Sequence, residues 1–174
     1  VISDYLKKIS QEDRKKLRRL GVKFGRYHIF LFKLFKPSAV SLRILLWKSY
    51  NNKFLNLLPP TFGLNFLEGM KSANKDFMLL CGFEKFDDIY VRIDILERLF
   101  LLIFNSDKND NKEIKVVPEM LNLLGCSKNN FKRLLIKMDY KVYEKEKEYF
   151  IKYLPIKRKI SKKDDKKDYS NNPF

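Results

Sequence analysis

VPEMLNLLGCSKNNFKRLLIKMDYKVYEKEKEYFIKY, residues 117–153, reads as two short helices followed by a hairpin. Pro118 suits a first helical position, where the N–H it lacks would have had no partner, and Gly125 suits the left-handed residue that follows a helix end. Together they bound a helix over 118–124. Ser127 can cap a second helix, on which Phe131, Leu134, Leu135 and Met138 recur at the spacing of one buried face. The opposite side carries Asn129, Lys132, Arg133 and Lys137, and no acidic residue stands between Ser127 and Met138. Such a helix suits contact with phosphates. Beyond it, Tyr140 and Val142, then Tyr149, Ile151 and Tyr153, alternate with polar residues around the charged turn at 144–147, the pattern of a β-hairpin.

Upstream, Asp94 and Glu97 have the D-x-x-E spacing of a capping box for an apolar helix running to Phe104, with Ile95, Leu96, Leu99, Leu102 and Ile103 in its core face. The polar linker SDKNDNK and the β-prone EIKVV come next. Helix, short strand, helix, helix and hairpin, in that order from Asp94 to Tyr153, is the order of a winged helix. The same elements also serve as protein-docking or purely structural units, in which a polar helical face is simply solvated.

Toward the N-terminus, Ser10 caps a basic helix to Leu20, with Asp13 in a capping-box position and Gly21 past its end. VKFGRYHIFLF suggests two short strands and a tight turn around Gly25 and Arg26. Pro37 opens SAVSLRILLWKSY, a helix with Leu42, Leu45 and Leu46 toward a core and Trp47 at its end. Residues 59–75, with Pro59, Pro60, Gly63 and Gly69, suggest an irregular crossing. A short helix to Cys81 and a second hairpin over 83–91 follow. The fold class is therefore α+β and mainly helical. It comprises a helix/β-hairpin/helix unit over 1–58, the crossing at 59–75, a winged-helix-like domain over 76–154, and a basic, flexible tail over 155–174.

The formal charge is +16 over 174 residues, and it is concentrated. Residues 1–40 hold 11 Lys or Arg against 3 acids, while residues 41–126 hold 11 of each. Residues 127–138 add +4 and the tail another +4. A protein bound to a polyanion would concentrate charge in this way. Candidate contacts to nucleic acid are Arg14, Lys15, Arg18, Arg19 and Arg26 in the N-terminal unit. Lys128, Asn129, Lys132, Arg133 and Lys137 are the candidates on the second helix, and Lys145 and Lys147 those in the hairpin. The expectation is that folding brings them to one groove beside the hairpin. Aromatics near basic residues, such as Tyr27, Phe30, Phe32 and Phe35, could stack on unpaired bases, although core packing is the commoner use of such rings.

Other chemistry is poorly represented. The six glycines are scattered and form no phosphate-cradling loop, so no nucleotide-hydrolysis site is visible. Two cysteines, Cys81 and Cys126, and the single histidine, His28, make neither a disulfide scaffold nor a metal site. No nucleophile arrangement is persuasive, His28 reads as structural, and Asp87 with Asp88 reads as a turn. The run at 95–104 contains Glu97 and Arg98 and is too short to span a bilayer, and the basic helix lacks the bulky apolar face that membrane-surface helices insert. A cytoplasmic setting and no membrane partner are expected. Val1 is not a natural translation start, which suggests a piece of a longer chain or a processed product.

DRKKLRRLGVKFGRYHIFL (13–31) followed by KPSAVSLRILLW (36–47), VRIDILERL (91–99) and VPEMLNLLGCS (117–127) resembles the C-terminal region of alphaproteobacterial superfamily 2 helicase-like proteins, related to the mitochondrial degradosome RNA helicase. That resemblance implies an upstream motor of the DExD/H type, with ATP and Mg as its cofactors and none in this portion, and it carries over no catalytic residue. The expected function is a non-catalytic, nucleic-acid-binding accessory region, with RNA a better fit than DNA. The alternative is a docking scaffold that recruits a partner such as a nuclease.

Overall fold

The computed structural model describes residues 8–51, 56–70, 73–109, 111–145 and 148–153. The tail at 155–174 and Lys147 lie outside the described residues. Among the described residues the fold is mixed α+β, with helices and three small antiparallel sheets.

Helix α1 (Gln11–Arg19) begins where the Ser10 hydroxyl accepts the N–H of Asp13 at 3.1 Å. Strands β1 (Val22–Phe24) and β2 (Ile29–Leu31) pair with Lys23 opposite Phe30, and the turn between them holds Gly25 and Arg26. A 3-10 turn, Phe32–Phe35, leads into α2 (Pro37–Tyr50). Strand β3 (Phe66–Leu67) lies within the stretch expected to be irregular, and the short helix α3 (Lys75–Leu80) is capped by Asn74.

Strands β4 (Phe83–Phe86) and β5 (Ile89–Arg92) form the second hairpin, and the sheet order is β3, β5, β4. The chain then passes into the central helix α4 (Ile93–Asn105). Strand β6 (Ile114–Lys115), α5 (Pro118–Leu124), α6 (Lys128–Lys137), β7 (Tyr140–Lys145) and β8 (Glu148–Tyr153) follow. In the last sheet the order is β6, β8, β7, with Ile151 opposite both Ile114 and Val142.

Strand β5 joins two cores. Successive strand residues point to opposite faces, so Ile89 and Val91 pack among α4, α5, α6 and Ile151, while Tyr90 between them packs among α2, α3 and Phe83. The second core combines Val40 and Ile44 with Phe77, Met78, Cys81 and Tyr90. A boundary at 59–75 therefore assigns the two halves of one cluster to different units.

Three local expectations are corrected. Leu42, Leu45 and Leu46 are 56%, 65% and 60% exposed, because α2 turns Val40, Ile44 and the half-buried Trp47 inward, the Trp47 ring lying 5.6 Å from that of Phe77. Leu102 is on the outer side of α4, while Ile95, Leu96, Leu99 and Ile103 are buried. The D-x-x-E at 94–97 is not a capping box, since Arg92 occupies the cap position and both acids are engaged elsewhere.

Candidate nucleic-acid interface

Helix α6 forms as its residues dictate. The Ser127 hydroxyl accepts the N–H of Asn130 at 3.2 Å, Gly125 ends the preceding helix at φ 68°, and Phe131, Leu134, Leu135 and Met138 are buried. Its polar side is divided between two neighbours. On one flank Arg133 Nη2 donates to both carboxylate oxygens of Asp88, at 2.7 and 2.8 Å, and Lys137 lies 2.9 Å from Asp87. Asn130 donates to Glu68 on the same flank. Asp87 turns the β4–β5 hairpin at φ 63°, a conformation a short polar side chain tolerates, and so brings two carboxylates up to the helix.

On the other flank Lys128 and Lys132 overhang a cleft of 490 Å³ between α6, α5 and the β7–β8 hairpin. Its apolar lining includes Phe131, Leu135, Val142 and Tyr149, and Lys115 enters from β6, where its ammonium is 2.5 Å from Glu148. Asn129 is exposed beside it. Flexible ammonium groups over a concave surface can neutralise phosphates without reading sequence.

The remaining candidates lie elsewhere or are already engaged. Lys145 is 2.9 Å from Glu113, a buried carboxylate that also accepts from Asn109 at 2.9 Å. Hydrogen bonds from Tyr143, Asn109 and Lys145 push the Glu113 carboxyl down to about 2. Arg14 donates to the Ile9 carbonyl at 3.0 Å, while Lys15, Arg18 and Arg19 are exposed on α1, with the Arg18 guanidinium 5.4 Å from the Phe24 ring. Arg26 lies 4.5 Å from Phe100 and 5.2 Å from Tyr153. Arg18 and Arg26 line a second cleft against α4 that shares no residue with the first. A single groove beside the hairpin is thus replaced by two separate surfaces, and Arg133, Lys137 and Lys145 face carboxylates. The reason is tertiary, since the acids that meet them come from the β4–β5 turn and from Glu113.

Glu97 is the residue whose role the sequence pattern misassigns. It is 5% exposed, and its carboxylate accepts three backbone N–H groups, from Arg26 and Tyr27 at 2.7 Å and from His28 at 2.9 Å. The signal that could have found it is an acid in an otherwise apolar helix, which requires a set of donors when buried. His28 is structural beside it. Its Nε2 is 2.7 Å from Glu84, which lowers the Glu84 pKa, and its Nδ1 is 3.9 Å from Glu97.

Burial pushes the thiols of Cys81 and Cys126 up to about 11, so neither is a ready nucleophile at neutral pH. Among the described residues there is no group of three or more His, Cys, Asp or Glu side chains placed to hold a metal ion, and no helix is long and apolar enough to cross a membrane. No model of a known protein family matches the chain, and neither does any curated protein or solved structure.

Proposed function

We propose that residues 93–153 act as a winged helix, that α6 and the β7–β8 wing grip nucleic acid, and that the chain is the non-catalytic C-terminal accessory region of a superfamily 2 helicase-like protein. The order of elements and the β6, β8, β7 sheet support the winged-helix assignment. The observation that carries the binding function is the position of Lys128 and Lys132, together above the cleft between α6 and the wing. In this reading ATP and Mg serve an upstream motor, RNA is the preferred partner, and the site is intracellular.

The test is binding of a short labelled duplex by the whole chain across a salt series. Lys128→Glu with Lys132→Glu should weaken binding and lower the slope of log affinity against log salt by about 2, because each lost phosphate contact removes roughly 0.9. Binding that is insensitive to salt, or unchanged in the double variant, would reject the interface. A second reading, a docking scaffold for a protein partner such as a nuclease, is favoured by the exposed Leu42, Leu45 and Leu46 on α2. Capture that survives nuclease treatment and is lost in Leu45→Glu would support it.

A further inference from the structure

Two cavities meet along α4 on a surface separate from the α6 cleft. One, of 740 Å³, is lined by the β1–β2 hairpin and includes Lys23, Phe32 and Arg98. The other, of 350 Å³, continues past Phe104, Lys108 and Lys152 to Tyr153 at the end of β8. Arg26 and Phe100 line both, which makes them one trough. From Asp94 to Phe104 the helix alone gives it a length of roughly 15 Å.

Its electrostatics are one-sided. Among the described residues its acidic lining consists of Asp94 and Glu97, and neither is available. Glu97 is occupied by three backbone N–H groups, and Asp94 takes Nε and Nη2 of Arg92 at 2.6 and 3.0 Å. Arg98, Lys23 and Lys152 line the trough with no carboxylate partner among the described residues. Aromatic rings lie between the cations, and Phe32 and Phe104 are 53% and 62% exposed. Lys108 lies 5.7 Å from the Phe104 ring and Arg26 lies 4.5 Å from that of Phe100.

An unpaired polynucleotide presents the complementary alternation, an anion and a flat ring in every repeat, and stacks on aromatic side chains while its phosphates meet cations. A duplex cannot use the rings, because its bases are stacked on one another. We propose that this trough binds an unpaired nucleic-acid strand, with Lys23, Arg98 and Lys152 holding phosphates and Phe32 and Phe104 stacking on bases. The proposal shares only its ligand class with the α6 cleft, so each surface can fail alone.

The experiment measures fluorescence anisotropy of labelled oligo(U) and oligo(dT), and of a mixed-sequence duplex of equal length, with the whole chain. Lys23→Glu with Arg98→Glu, and separately Phe104→Ala, should each weaken oligo(U) or oligo(dT) binding about tenfold and leave duplex binding within about twofold. Phe104→Trp should keep the affinity and show indole quenching on adding oligo(U). Lys128→Glu with Lys132→Glu should do the converse, weakening the duplex alone. Unpaired-strand binding unchanged by the trough variants overturns the proposal and leaves the α6 interface standing. Equal displacement of oligo(U) by poly-glutamate, or no effect of Phe104→Ala with an unquenched Trp, also overturns it, since the surface would then serve any polyanion. All the substituted side chains are on the surface, and matching circular dichroism melts exclude misfolding as the cause.

Discussion

A Cβ added to Gly25 would lie 2.2 Å from Cδ of Glu97, so the absence of a side chain at one position and the carboxylate at the other form a single joint between the β1–β2 turn and α4. Any larger residue at 25 must push the turn away from the three N–H groups that Glu97 holds. Gly25→Ala should therefore destabilise, and Glu97→Ala should cost about 1–3 kcal/mol by leaving the part-buried donors unpaired. Glu97→Gln should fall between, because an amide oxygen can accept part of the set while its NH2 opposes the rest. Urea denaturation of the three variants checks the order, and a fully stable Glu97→Ala would show that the joint contributes little.

Arg133 and Asp88 form the second link, between α6 and the β4–β5 turn. Arg133 is well exposed while Asp88 is mostly covered, so a double-mutant cycle should return a coupling of only about 1 kcal/mol. The functional effect should be more visible. Asp87→Ala with Asp88→Ala releases both Arg133 and Lys137, and duplex affinity should rise several-fold at low salt. A fall in affinity, in protein whose melting curve is intact, would mean that the acids position α6 rather than mask it.

The hydrogen bond from His28 holds the Glu84 pKa below its ordinary value of 4.5, against the opposing effect of burial. With the folded-state pKa depressed, the stabilisation is complete above that ordinary value and is lost as pH falls through the lower, folded-state one. His28→Ala removes the donor, so the Glu84 carboxyl should titrate higher and the acid limb of the stability curve should flatten. A carboxyl-resolved NMR titration measures it directly. An unmoved Glu84 midpoint in His28→Ala would put the cause elsewhere.

Local chemistry was legible in the sequence and non-local partnership was not. Pro118, Gly125 and Ser127 set the ends of α5 and α6 through bonds spanning a few residues, and the alternation at 140–153 set the hairpin, because each signal and its cause lie within one element. On α2, apolar residues occupy every side, and the choice of Val40 and Ile44 over Leu42, Leu45 and Leu46 is made by Phe77 and Tyr90, more than 30 residues away. The acids behaved likewise. Asp94 and Glu97 match a local capping pattern, yet Glu97 serves a turn about 70 residues earlier in the chain. On a helical wheel Lys128 and Lys132 fall on one flank of α6 and Arg133 and Lys137 on the other, yet which flank meets carboxylates is decided by the position of the β4–β5 turn, which the wheel does not show.

Glu113 should control both acid stability and the freedom of the hairpin. It accepts the Lys145 ammonium at 2.9 Å and the Asn109 amide at 2.9 Å, with Tyr143 as a further donor, so the first residues after α4 are tied to β7. Its carboxyl is pushed from 4.5 down to about 2, and the stabilisation it gives is therefore present above pH 4.5 and disappears as pH falls toward 2. Glu113→Gln should lower stability at neutral pH and remove its own share of the pH dependence in that window, leaving the part that Glu84 contributes. It also releases Lys145 from the Glu113 carboxylate, so duplex binding should tighten modestly and show a steeper salt slope. Thermal melts across the window, with anisotropy at neutral pH, separate the two effects. A variant that keeps the wild-type acid limb would mean that Glu113 is not what ties the hairpin down.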